Sequence, residues 1–126
     1  KTRSQIVLER ISLNDACPAP AQGALAIQTR KADEKTRALV SQMTHEPTAQ
    51  CVETERLLLG YFGGGCHLPL GAYAEVDCEG RFILRALVVS PDGNIRIEAQ
   101  ATADSPEKVA ESVYSKLVRD GAQRFL

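Results

Sequence analysis

The chain has 126 residues, 44% hydrophobic and 25% charged, which is enough apolar material for one buried core and too much for a disordered chain. Its formal net charge is −1, and fifteen basic residues are scattered with no basic run longer than Arg30-Lys31, which argues against a nucleic-acid-binding face. No apolar run approaches the roughly 18 residues that a membrane span needs.

No secretory leader pattern is visible, and the chain opens on Lys1 rather than Met, so a fragment or processed product is expected. The four cysteines, Cys17, Cys51, Cys66 and Cys78, show no compact disulfide framework. Reduced thiols of a cytosolic protein are the expectation.

Residues 5–11, "QIVLERI", fit a strand or a helix end, and the pattern is too short to decide. "NDACPAPAQG" at 14–23 holds two prolines and a glycine, so a structured linker or hinge is predicted there. "ALAIQ" at 24–28 is a short apolar run and predicts a buried strand. Asp33 reads as an N-cap, and Thr36, Leu39, Val40 and Met43 at helical spacing predict an amphipathic helix over 34–43.

A second helix should start near Pro47, with His45 at its start. Val52 and Leu59 form one stripe of it, and Cys51, Leu58 and Phe62 an adjacent one. Gly63-Gly64-Gly65 should end it. From Gly71 the period changes to two, and strands are predicted at 72–76, 81–89 and 94–102, joined by "CEG" and "PDGN" turns into an antiparallel meander. Asp104 and Glu107 resemble a capping box, followed by a helix with Val109, Val113 and Leu117 on one face and Gly121 as its stop. The expected class is α+β: a three-stranded antiparallel sheet covered by helices over residues 46–126, preceded by a strand–helix piece.

The sharpest chemical feature is "GGGCHLPLGAYAEV" at 63–76, where glycines run into Cys66 and His67 before Pro69 stiffens the exit. Glycines permit either close approach of another body or positive φ. Inert packing competes with function for any intracellular cysteine, and Cys51 and Cys78 keep the inert reading. For Cys66 three chemistries are open. A Cys–His nucleophile would need Cys66 and His67 to face each other, which sequence neighbours seldom do. Zinc binding by Cys66, His67, Cys51, Cys78 or His45 lacks the paired spacing of known sites. A covalent tether needs only a loop thiol with clear backbone beside it.

"GGGCHLPLGAYAEV", "LRALVVSPDG" at 84–93, "PAPAQGALAIQTR" at 18–30 and "AQCVETERLLLGYFGGGC" at 49–66 together resemble the porphobilinogen deaminase (hydroxymethylbilane synthase) family, in the family's order. The resemblance implies an enzyme that joins four porphobilinogen molecules into hydroxymethylbilane with release of ammonia, in porphyrin and heme biosynthesis. It implies a dipyrromethane cofactor on a cysteine thioether, and Cys66 falls on that cysteine. It implies that Gln22, Gly23 and Ala24 line the substrate cleft through backbone amides, with turn geometry as their alternative role.

By the same resemblance, residues 1–45 are a remnant of two α/β domains, and 46–126 are the C-terminal α+β domain carrying the cofactor. Porphobilinogen, the growing polypyrrole and the missing N-terminal domains are the implied partners of a monomeric, cytoplasmic parent, with no nucleic acid, membrane or metal. The family's catalytic aspartate and its carboxylate-binding lysine and arginines have no counterpart here, so the isolated chain is expected to be inactive. Arg30, Arg81 and Arg85 are not assigned to substrate. Ala21 stands where the family usually has glycine, and Gln28 where glutamate is common. The rival expectation is a non-catalytic α+β interaction or small-ligand regulatory module, which would have no need of the Gly-Gly-Gly-Cys loop.

Overall fold

A computed structural model describes residues 7–65 and 67–125. Helices α1 (Glu34–Ser41) and α2 (Glu46–Tyr61) come first. Strands β1 (Leu70–Val76), β2 (Phe82–Val89) and β3 (Arg96–Ala103) follow, then α3 (Pro106–Arg119) and a closing 3₁₀ turn, Ala122–Phe125. The sheet is an antiparallel meander in the order β1-β2-β3, as the alternating pattern and the two turns predict.

One face of the sheet carries the core. Leu70, Ala72 and Ala74 of β1, Phe82, Leu84, Ala86 and Val88 of β2, and Ile97 of β3 are buried. The register places Ala72, Ala86 and Ala99 in one row across the sheet. Three methyl-sized side chains in a row let helices approach the strands closely. Val109, Ala110, Val113 and Leu117 of α3 and Leu58 of α2 fill that space and are fully buried. The turns are closed by short carboxylates. Asp77 accepts from the Glu79 and Arg81 amides at 2.9 Å each, and Asp92 binds Ser90 and Asn94. These bonds hold both carboxyls below the usual carboxylate range.

Three expectations need correction. Residues 24–28 form no strand, and Leu25 is 99% exposed. An apolar pentapeptide becomes a strand only where a partner strand offers its amides and carbonyls, and among the described residues none lies beside it. The α3 cap is Ser105, not Asp104. Pro106 takes the first helical position and drives its predecessor into extended backbone, so the residue just before it becomes the cap. Ile95, inside the strand predicted at 94–102, precedes β3 and is exposed. Of the expected element at 5–11, residues 5 and 6 lie outside the described part, and 7–11 take no regular structure.

Helix α1 has the expected cap, with the Asp33 carboxylate accepting from the Thr36 amide and hydroxyl, yet it buries none of its residues. Truncating the fully buried Leu58 to Ala is expected to cost about 2–5 kcal/mol, the range for a leucine whose site cannot collapse. Chemical denaturation should show the midpoint falling without a change in slope.

Candidate functional site

The glycine run is a helix terminator with defined geometry. The Gly63 amide donates to Gly60 O and the Gly64 amide to Leu59 O, both at 3.0 Å, which is the reciprocal Schellman pattern. All three glycines take positive φ, at 86°, 67° and 132°. Above the terminator, Phe62 and Tyr61 pack on Tyr114 of α3, with ring centroids 4.9 and 5.3 Å apart, so the helix end is fixed to the core. Below it, Pro69 O accepts from the Val89 amide and Leu70 starts β1.

Cys66 itself lies outside the described residues. Its neighbours show what the loop permits. Side chains at Gly63 and Gly64 would meet nothing within 4 Å, so space beside the backbone is open there. At Gly65 a β-carbon would lie 2.8 Å from the His67 ring, so the glycine makes room for that imidazole. Positive φ is realised at all three glycines, and the backbone at Gly63 and Gly64 is left clear.

The linker at 14–23 holds no regular element, as expected, and runs along the outer edge of β1. Pro18 O accepts from the Ala72 amide at 2.8 Å. A β-carbon on Gly71 would meet Cys17 O at 2.9 Å and Pro18 O at 3.2 Å, so only glycine lets the linker lie this close. Ala21 sits at φ 61°, the left-handed region, where a glycine would be at ease. In the turn that follows, the Gln22 side chain accepts from the Ala19 amide, and the Gln22 and Ala24 amides donate to Ala19 O and Ala21 O. Of the three amides expected to line a cleft, Gly23's alone has no partner among the described residues.

The residue that sequence reasoning missed is Glu55. It is 6% exposed, on the core side of α2. One carboxylate oxygen accepts from the Ala74 amide of β1 at 2.8 Å, and the other from the Ala21 amide of the linker at 2.6 Å. Spacing held a signal: Cys51, Glu55, Leu58 and Phe62 recur at helical intervals of three and four, so a carboxylate stands on the apolar stripe. Val52 lines a groove of about 920 Å³. That groove runs from Gly23 and Ala24 along α2 to Gly60 and Tyr61, next to the glycine loop, with Arg56 and Glu53 among its lining.

Burial pushes the Cys17 and Cys51 thiols up, and the Glu55 carboxylate raises both further. Cys78 lies exposed at the β1–β2 turn. His45 stands at the α2 N-terminus, with Nδ1 2.8 Å from the Thr48 hydroxyl. Among the described residues no three His, Cys, Asp or Glu side chains gather closely enough to share an ion, and no helix is long and apolar enough to cross a membrane. Arg81 pairs with Asp77 and Glu79, while Arg85 binds Asn14 and keeps its Nε buried without a partner among the described residues.

Comparison with known proteins places these features in one family. The family model described as "Porphobilinogen deaminase, C-terminal domain" matches residues 49–119. The chain is 36% identical over 121 residues to porphobilinogen deaminase of Staphylococcus carnosus, covering 96% of this chain and 39% of that protein. It is 35% identical over 124 residues to that of Bacillus subtilis, covering 98% and 40%. With that of Chlorobium luteolum it shares 41% identity over 115 residues, covering 86% and 36%. The chain thus spans about two-fifths of the length of the curated relatives it matches.

Two outcomes follow from this geometry. Ala21→Gly should stabilise the chain by up to about 1 kcal/mol, because relief of left-handed strain exceeds the added freedom of the unfolded chain. Thermal or urea unfolding reads that shift. Under limiting iodoacetamide, peptide mapping should find Cys78 alkylated before Cys17 and Cys51, since only the thiolate reacts and the latter two are shielded and raised.

Proposed function

Because the chain belongs to the porphobilinogen deaminase family, we propose that it is the cofactor-bearing C-terminal part of such an enzyme, with Cys66 holding dipyrromethane through a thioether. The observation that carries this reading is the glycine loop. Its two ends are locked, its first two glycines leave open space beside the backbone, and it stands at the end of the groove that Gly23 lines. That arrangement fits a bulky group of two hinged flat rings attached at the loop and lying along the groove.

Attachment requires a nucleophile that keeps what it captures. The C–N bond of porphobilinogen's aminomethyl group breaks with its electron pair on nitrogen, ammonia departs, and the cysteine sulfur supplies the pair for the new C–S bond. When bound, the cofactor is the primer to which four porphobilinogen units are joined before hydroxymethylbilane is released. This chain's own residues bind and orient. The loop sets where the sulfur stands, and the Gly23 amide is the free donor at the far end of the groove. In this reading residues 1–45 belong to the two α/β domains and 46–126 to the third domain. The catalytic aspartate and the basic residues for acetate and propionate groups lie on the rest of a monomeric, cytoplasmic enzyme. The chain alone is inactive.

Intact-mass analysis of the full-length enzyme, with peptide mapping, tests the assignment. A dipyrromethane-sized increment on the Cys66 peptide is expected, and Cys66→Ser should abolish it, because an alkoxide is far scarcer than a thiolate near neutral pH. An acid-stable dipyrrole retained on the serine variant, or found on Cys17, Cys51 or Cys78, would overturn it.

A further inference from the structure

We propose that Glu55 is a positioning residue for this reaction: its carboxylate fixes the Gln22–Gly23–Ala24 turn to the strand that continues the Cys66 loop. The proposal rests on the reading above. One oxygen holds the Ala21 amide, one residue before the turn. The other holds the Ala74 amide on β1, which begins four residues after Cys66. Glu55 itself stands on α2, which ends in the glycine terminator. A single side chain therefore ties together the linker turn, α2 and β1, and the turn and α2 both line the groove.

The geometry goes beyond what stability requires. An apolar side chain would fill this position of the α2 stripe and bury more favourably than a carboxylate. What an apolar side chain cannot do is bind two backbone donors from segments 53 residues apart, Ala21 and Ala74, in fixed directions. The Ala21 bond also secures the left-handed backbone at that residue, and that backbone aims the next amides. With Glu55 in place, the unpartnered Gly23 amide keeps one distance and direction relative to the anchor loop. Without it, the linker keeps the Pro18 O–Ala72 bond and the Arg85 and Arg96 bonds to Asn14, all at or before Pro18, so the turn at 22–24 loses its own anchor and swings about Pro18.

The test uses the full-length enzyme. The dipyrrole on Cys66 is first quantified by mass, and kinetics are then expressed per loaded molecule. Glu55→Gln keeps the size but opposes an NH₂ group to one of the two backbone donors. Its KM for porphobilinogen should rise about tenfold, with kcat per loaded molecule changed much less, in keeping with the loss of one charge-assisted hydrogen bond. Glu55→Asp, which retains both acceptors, should recover part of the loss. If Glu55→Gln does not fold, Gly71→Ala carries the test. Its new methyl meets Cys17 O and Pro18 O and lifts the linker from β1 while leaving Glu55 intact, so KM should rise here too. A lowered Tm with unchanged KM would make Glu55 a stabilising residue only and overturn the proposal. Absence of any dipyrrole on Cys66 in the unmutated enzyme would overturn the functional reading and this proposal with it.

Discussion

The structure turns on a buried carboxylate that has no cation. Glu55 is 6% exposed and makes no ion pair among the described residues, so its charge is carried by two backbone dipoles, the amides of Ala21 and Ala74. Removing a carboxylate from water costs several kcal/mol, and two short charge-assisted bonds are the means of offsetting it. The same bonds solve a second problem. β1 is an edge strand, and its outward amides would otherwise invite another chain. Pro18 O covers Ala72 and Glu55 covers Ala74, so the middle of the edge is covered from within. The charge also acts on its surroundings: it helps to keep the Cys17 and Cys51 thiols protonated, which leaves them poor nucleophiles.

The glycine loop is more ordered than its composition suggests. Three consecutive glycines usually signify slack. Here each occupies positive φ, the first two amides close the Schellman pair, and the third makes way for the His67 ring. Every glycine is thus required by a local contact or a backbone angle. With α2 held to α3 by the Tyr61, Phe62 and Tyr114 rings, the helix end that feeds the loop is as fixed as the core itself. Precision at the loop therefore derives from packing several residues away.

Most of the C-terminal architecture was legible because it rests on local chemistry. Alternation marked the strands, "CEG" and "PDGN" marked the turns, and a glycine run marked the end of α2. The failures share a different cause. "ALAIQ" has the composition of a strand, but strand formation is decided by a neighbour, and a local pattern carries no record of one. Asp104 lost the cap to Ser105 because proline's constraint on its predecessor outweighs the capping-box spacing. Glu55 was passed over because a charged residue within a helix is ordinarily read as solvated. Its place on the Cys51–Leu58–Phe62 stripe was the available clue, whereas its partners 19 and 34 residues away were not visible in any local window. The turn at Gln22–Ala24 was legible as a turn, but not that two of its three amides are spent within it.

The two parts of the chain are held by different physics. Every residue of the apolar core and of the shell packed on it lies between Cys51 and Phe125. The segment from Val7 to Thr44 adds nothing to that core, and Leu25, Ile27, Leu39 and Met43 remain exposed. It is joined instead by a few polar contacts: the Ala72 and Ala21 amide bonds, the Arg85 and Arg96 bonds to Asn14, and the close contact over Gly71. Apolar burial is strong but tolerant of small slips, because it scales with area and has no direction. Hydrogen bonds to a buried charge are few but directional, and they lose most of their value when misaligned. A junction made of such bonds sets an angle and a distance rather than merely adhering. The polar contacts at Glu55, not the apolar core, therefore determine how the linker turn stands relative to the glycine loop.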